Sequence, residues 1–196
     1  MEFKCVEGCS DCCIYREYYP DKSYGKIGVL ILPSEKERIE ELAKSLGKTI
    51  TILPRIGLGS EYRDGQKAGP KRVIAYQLMG VRKDGDLCPF LDVDGDERSP
   101  HGGYRCMIYE DRPLACRAYP LIESAGREVK LDAKCQFCRS CSAGSVEGLQ
   151  GEIEALTSIQ KAVRSDENED VWRYATGIGN QEDKDLVHKG WILETH

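Results

Sequence analysis

The sequence predicts an α+β protein with a small mixed core, two main amphipathic helices and cysteine-rich metal-binding loops. Three observations predict this class. Apolar residues recur at helical spacing in 34–46 and 145–164, short apolar runs elsewhere are typical of strands, and ten cysteines are concentrated between these elements. The 196 residues are enough for one domain with a hydrophobic core, with or without a small appendage.

The first regular elements are a predicted strand at 26–32 (KIGVLIL) and a predicted helix at 33–47 (PSEKERIEELAKSLG). Ser34 is the expected N-cap of the helix, and Glu37 completes a capping box with it. Gly47 is the expected end of the helix, because glycine readily takes the left-handed conformation that closes a last turn.

Further along the chain, short apolar runs bounded by turn-forming residues predict strands. They lie at 49–54, at 71–78, at 87–92 and, as a hairpin, at 121–133. Residues 55–70 contain four glycines and little periodicity, which predicts a surface loop and leaves a lid or binding loop as the alternative.

The C-terminal part is predicted to be mostly helical. Residues 145–164 carry apolar side chains on one helical face, and a last short helix is expected around 171–175, before a tail that contains Trp191. We therefore expect a cysteine-cluster metal-binding domain at 1–144 and a C-terminal helical extension packed on it at 145–196.

Composition argues against several classes of function. The net charge is -5 and no dense basic stripe is present, so nucleic acid is not an expected partner. No apolar run of 18 residues exists, so we expect no membrane span. The start, MEFKCVEGCSD, has no apolar core of a signal peptide, and we expect a cytoplasmic protein with reduced thiols. An unidentified protein partner remains open.

The cysteines are the main chemical signal, and all ten are candidate metal ligands. They are Cys5, Cys9, Cys12, Cys13, Cys88, Cys106, Cys116, Cys135, Cys138 and Cys141. With only three histidines in the chain, any metal site is expected to be rich in thiolates, which select zinc or iron–sulfur clusters. A disulfide scaffold and a thiol–disulfide oxidoreductase are the alternatives. Reduced thiols disfavour the first, and the second needs only one CxxC pair.

Cysteine spacing supports metal binding, because two thiolates of a CxxC turn can reach one tetrahedral ion. Such pairs occur at 9–12, 135–138 and 138–141. Neighbouring side chains tend to project apart, especially in extended chain. We therefore expect Cys12 and Cys13 to be split, one facing a first centre and the other a second centre or a structural partner. The number of available cysteines and the basic residues beside five of them favour an iron–sulfur cluster, 4Fe–4S in particular, over zinc.

Two further spacings keep other functions open. CVEGCSDC (5–12) fits the CxxxCxxC motif of radical S-adenosylmethionine enzymes, but the alternating strands and helices of their barrel are not predicted here. CQFCRSC (135–141) has the CxxCxxC run of ferredoxin-type clusters without the CP that follows it there. An iron–sulfur-dependent enzyme of methyl transfer or S-adenosylmethionine chemistry and an electron-transfer protein are therefore the alternatives, and the sequence does not decide whether the protein is an enzyme.

Three segments together resemble the YkgJ-like cysteine-cluster family, which has the signature CxxCxxCC. They are CVEGCSDCC (5–13), CPFLDVDG (88–95) and CMIYEDRPLACRAYP (106–120). The resemblance spans about 3–120 and implies a domain that chelates zinc or iron. It places in the family's pattern Cys5, Cys9, Cys12, Cys13, Cys88, Cys106 and Cys116, with Arg112, Pro113, Arg117, Tyr119 and Pro120 in the flanking motif. The first spacing departs from the signature, with three residues rather than two between Cys5 and Cys9.

Overall fold

The fold is described from a computed structural model. The residues that the structure describes are 6–14, 29–80, 87–125, 128–133, 135–136, 138, 148–165, 168–176 and 189–194. Helices and strands are mixed along these ranges, as an α+β class requires.

The described residues form four helices and eleven strands. The helices are α1 (Asp11–Ile14), α2 (Pro33–Ser45), α3 (Leu114–Ala118) and α4 (Gln150–Ala162). The strands are β1 (Val29–Ile31), β2 (Ile52–Leu58), β3 (Glu61–Arg63), β4 (Gln66–Gly69), β5 (Arg72–Leu78), β6 (Leu91–Asp92), β7 (Arg105–Cys106), β8 (Leu121–Ala125), β9 (Glu128–Leu131), β10 (Val171–Thr176) and β11 (Lys189–Leu193).

The main sheet has five antiparallel strands in the order β1-β5-β2-β10-β11. Its register pairs Ile31 with Tyr76 and Trp172 with Gly57. The strand β10 lies between β2 and β11, so the predicted short helix at 171–175 is wrong. VWRYAT is rich in β-branched and aromatic residues, which fit the half-buried position that β10 takes between β2 and β11.

The predicted surface loop at 55–70 is also wrong in part. Strand β2 continues through Pro54 to Leu58, and β3 and β4 form an exposed hairpin. Its turn is Asp64-Gly65, with positive φ at both residues (52° and 76°), as a two-residue Asp-Gly turn of the primed type requires. Gly57 lets the chain turn back over β2, because it has no Cβ atom. A Cβ atom at this position would overlap the ring of Pro70.

Helix α2 ends as predicted and begins differently. Its last turn closes at Gly47, whose φ is +63°, with hydrogen bonds from Gly47 N to Lys44 O (3.1 Å) and from Lys48 N to Ala43 O (2.8 Å). At the start, Leu32 rather than Ser34 is the N-cap, since Pro33 already takes the first helical position. A Glu35 oxygen, not Glu37, accepts the hydrogen bond from Leu32 N.

One hydrophobic core lies between the sheet and the helices, and the cysteines border it. Its buried members include Ile31 of β1, Ile39 of α2, Ala118 of α3 and Leu156 of α4. Three half-buried cysteines pack against this core, namely Cys88, Cys106 and Cys116. Within the described ranges no helix has the length and apolarity needed to cross a bilayer.

The hairpin at 121–133 is confirmed as β8 and β9, and the strand at 71–78 as β5. The long C-terminal helix is confirmed over Gln150–Ala162, where it packs on α3 and β8. The predicted residues 26–28 and 145–147 lie outside the described residues.

Candidate metal centre

Eight of the ten predicted ligands lie in the described residues, and all eight are half-buried cysteines that form no disulfide bond. They are Cys9, Cys12, Cys13, Cys88, Cys106, Cys116, Cys135 and Cys138. Cys5 and Cys141 were predicted as ligands too and lie outside the described residues.

The adjacent pair Cys12 and Cys13 sits in the short helix α1, and its two Sγ atoms are 3.9 Å apart. The expectation that these side chains project apart is therefore wrong, because it holds for extended chain and α1 is helical. Two thiolates on one tetrahedral ion, with metal–sulfur bonds of about 2.3 Å, would be about 3.8 Å apart. The observed separation suits two ligands of a single ion.

Two distant cysteines meet this pair. The backbone N–H of Cys88 donates to the carbonyl oxygen of Cys13 over 3.0 Å, which joins the two chain segments directly. Cys88 and Cys116 are both close enough to Cys13 for their charges to act on its thiol. Helix α1, the segment that contains Cys88 and helix α3 are thus brought together.

The pKa of the Cys13 thiol lies far above its ordinary value. The largest cause is the hydrogen bond with Cys12, followed by burial and by the charges of Cys12, Cys88 and Cys116. All of these disfavour a thiolate at this position as long as no positive charge faces it. A metal cation removes that penalty, because it replaces the proton and neutralises the neighbouring thiolates.

Cys106 is the fifth thiol of this group. Burial raises the pKa of its thiol, and the charges of Cys116 and Cys12 add to that effect. A backbone hydrogen bond at Ile108 and the positive charge of Arg112 act in the opposite direction. We refer to Cys12, Cys13, Cys88, Cys106 and Cys116 as the five-cysteine cluster.

Backbone pairing places the two central members of the cluster. Cys106 is in β7, where it pairs with Leu91 of β6, and the N–H of Met107 donates to Phe90 O over 2.9 Å. The N–H of Leu91 in turn donates to Cys88 O over 3.0 Å. The strand pair β6–β7 therefore fixes Cys88 and Cys106 relative to each other.

The N-terminal cysteine segment docks on the turn before β7. Gly8 N donates to His101 O over 2.6 Å, and Tyr104 N donates to Ser10 Oγ over 2.7 Å. A Cβ atom on Gly103 would overlap the carbonyl oxygen of Cys9 and lie 2.5 Å from Ser10 Oγ. Ser10 and Gly103 were not predicted from the sequence, in which the Gly-Gly pair at 102–103 is the local signal for this close contact.

The other predicted ligands have a less defined place. Cys135 follows β9, and its N–H donates to Asp132 O over 3.0 Å. Among the described residues, no group of three or more Cys, His, Asp and Glu side chains is arranged so that it could hold a metal ion as it stands. The five-cysteine cluster is thus a gathering of thiols rather than a finished coordination shell.

Comparison with known proteins gives one match. A family model described as "CxxCxxCC: Putative zinc- or iron-chelating domain" matches residues 4–142. This range covers more than two thirds of the chain and contains all ten cysteines, including CQFCRSC, which lay beyond the resemblance at 3–120. No curated protein and no solved structure matches the chain.

Proposed function

The chain belongs to the CxxCxxCC family of zinc- or iron-chelating domains, and from this premise we propose that the five-cysteine cluster holds its metal. The proposed ligands are Cys12, Cys13, Cys88 and Cys116. The observation that carries the proposal is the convergence on Cys13, which has Cys12 Sγ at 3.9 Å and the charges of Cys88 and Cys116 nearby.

A nearby positive charge supports a metal at the five-cysteine cluster. Four thiolates around a divalent ion leave a net charge of about -2, which nearby cations stabilise. Arg112 is placed to do this, because its charge already acts on Cys106. Cys106 is then a fifth thiol beside the centre, where it can add to the shell or replace one of the four ligands.

We propose a single ion, zinc or iron, as the occupant. In a 4Fe–4S cluster, which the sequence favours, each cysteine binds a different iron, so two ligand sulfurs stand farther apart than on one ion. The 3.9 Å between Cys12 and Cys13 supports the single ion. The geometry of this pair therefore gives no support to two separate centres at Cys12 and Cys13. A second centre would need the cysteines at 135–141 as ligands.

The proposed role of the metal is to organise the fold. Its ligands come from α1, from the segment before β6 and from α3, so one ion would join parts of the chain about a hundred residues apart. Methyl transfer, S-adenosylmethionine chemistry and electron transfer remain predictions from spacing, as do the cytoplasmic location and a protein partner. A redox-inactive zinc centre would exclude electron transfer at this site.

The test is metal analysis of anaerobically purified protein together with its absorption spectrum. We expect one metal ion per chain, bound without the broad visible bands of sulfide-to-iron charge transfer. Cys13→Ser should weaken binding by more than about a hundredfold, because losing even an outer-shell partner of a metal ligand costs about 10- to 100-fold. Cys135→Ser is the matched control, and it should keep the ion.

Two results would contradict the proposal. A brown protein with several irons and sulfide per chain would replace the single ion by a cluster. Loss of the metal in Cys135→Ser but not in Cys13→Ser would move the centre away from the five-cysteine cluster.

Substitution with Co²⁺ adds a direct count of thiolates, since its charge-transfer absorption grows with each bound sulfur.

A further inference from the structure

Glu35 is a buried carboxylate that belongs to none of the cysteine segments. It lies in the first turn of α2 and is 7% exposed. Burying a charged group is costly unless hydrogen bonds compensate for the lost water. The side chain therefore has to be explained by the contacts it makes.

Both oxygens of Glu35 accept hydrogen bonds from backbone groups. Oε2 accepts from Leu32 N over 3.0 Å, and Oε1 accepts from Leu114 N over 2.8 Å. Leu114 is the first residue of α3, and its N–H is one of those that a helix leaves without an internal partner. The residue before it, Pro113, offers no side-chain cap, so Glu35 caps α3 from another helix.

Arg38, one turn further along α2, holds the same stretch of chain at a second point. Its Nη1 donates to the carbonyl oxygen of Asp111 over 2.6 Å and reaches Asp111 Oδ1 at 3.4 Å. Its Nη2 lies 3.9 Å from Glu35 Oε1. The end of the turn that leads into α3 is therefore held to α2 at two points, Asp111 and Leu114.

This turn connects two members of the five-cysteine cluster. Cys106 precedes it, and Cys116 follows it by one helical turn, with its own N–H donating to Pro113 O over 2.8 Å. Helix α2 is in turn fixed by Ile39, which is fully buried in the core. A shift of the turn relative to α2 would move Cys116 with it, whereas Cys13 is held separately by the hydrogen bond from Cys88 N.

We propose that Glu35 is a positioning residue of the metal centre, which fixes α3 so that Cys116 faces Cys13. This inference rests on the proposed function. The variant that tests it is Glu35→Gln, which keeps the size of the side chain and leaves only one oxygen to accept. One of the two backbone N–H groups then loses its acceptor.

We expect Glu35→Gln to bind zinc about tenfold more weakly than the parent protein, which corresponds to about 1.4 kcal/mol. The matched control is Glu37→Gln, the same chemical change at an exposed position of the same helix turn, and it should bind as the parent does. The absorption of the Co²⁺ form is the second readout. It should change in Glu35→Gln, because a displaced Cys116 alters the ligand field, whereas a loss of stability alone would leave it unchanged.

Arg38→Gln keeps the inference testable if Glu35→Gln does not fold. Arg38 is partly exposed, and among the described residues its side chain contacts Asp111 and Glu35, so we expect its loss to weaken zinc binding threefold to tenfold. The inference is overturned if the folded Glu35 variant, or otherwise the Arg38 variant, matches Glu37→Gln in affinity and in Co²⁺ spectrum. The proposed function fails separately, namely if the parent binds no metal or if Cys13→Ser binds it as the parent does.

Discussion

Replacing Gly103 by alanine should weaken metal binding, because it pushes the N-terminal cysteine segment away from the turn on which it docks. The added Cβ atom would lie 2.5 Å from Ser10 Oγ and 2.9 Å from the carbonyl carbon of Cys9. Comfortable contacts between carbon atoms begin at about 3.5 Å. The two backbones therefore have to separate by more than about 0.5 Å, and Cys9 and the residues after it must move.

The expected magnitude follows from the contacts that this movement weakens. Overpacking costs about 1–3 kcal/mol. The hydrogen bond from Tyr104 N to Ser10 Oγ, at 2.7 Å, contributes about 1 kcal/mol more if it breaks. A loss of about 2 kcal/mol in the metal-bound form would lower the affinity for zinc about thirtyfold.

The assay is a competition titration with a chromophoric zinc chelator, together with urea unfolding of the zinc-loaded protein. The matched control is Gly151→Ala in α4, where an added Cβ meets nothing within 4 Å and where alanine favours the helix by up to about 1 kcal/mol. If Gly103→Ala binds zinc as tightly as the parent and the control, the close approach to Cys9 does not position the cysteines, and the reasoning is refuted.

Two further predictions concern pH. The pKa values of Cys13 and Cys106 are raised in the fold, whereas an unfolded thiol titrates near 9.0. The metal-free protein should therefore keep its stability below about pH 9 and lose stability as the pH rises further, and the zinc-loaded protein should lose less. Urea unfolding of both forms across this pH range measures the loss. Equal losses in the two forms would contradict the proposed role of the metal. The pKa of Asp170 is lowered mainly by its hydrogen bond with Lys67 and also by Ser60. The stability that ionised Asp170 contributes is present above about pH 3.8, its ordinary pKa, and is lost as the pH falls through the lowered pKa. Asp170→Asn should therefore destabilise the protein at neutral pH and match the parent protein in acid. Equal urea midpoints of the two proteins at neutral pH would refute this.

Local patterns predicted the elements that are locally determined. The apolar spacing of α2 and α4 and the hairpin at 121–133 were recognisable because each element's pattern matches its own burial. The strand β10 was missed because a short run such as VWRYAT has too few residues to separate the two periods. It becomes a strand through pairing with β2, which lies more than a hundred residues earlier.

The candidate site divides in the same way. Metal chelation could be predicted from the cysteine pattern, and the family resemblance grouped Cys88, Cys106 and Cys116 with the N-terminal cysteines. The contacts that bring them together could not be predicted, because Gly103 and Glu35 act on residues far away in the sequence. The predicted orientation of Cys12 and Cys13 was wrong because it depended on whether the four residues of α1 are helical or extended, which so short a segment does not reveal.

These contacts imply that the scaffold and the metal contribute separately to the site. The hydrogen bonds of Glu35 and the pairing of β6 with β7 involve no thiol, so these contacts do not themselves require a metal. Helix α1 has only four residues, and its two adjacent thiols disfavour ionisation at close range. The fold therefore positions three of the five thiols, and under the proposed function the metal would join α1 to them by holding the thiolates of Cys12 and Cys13 against their mutual repulsion.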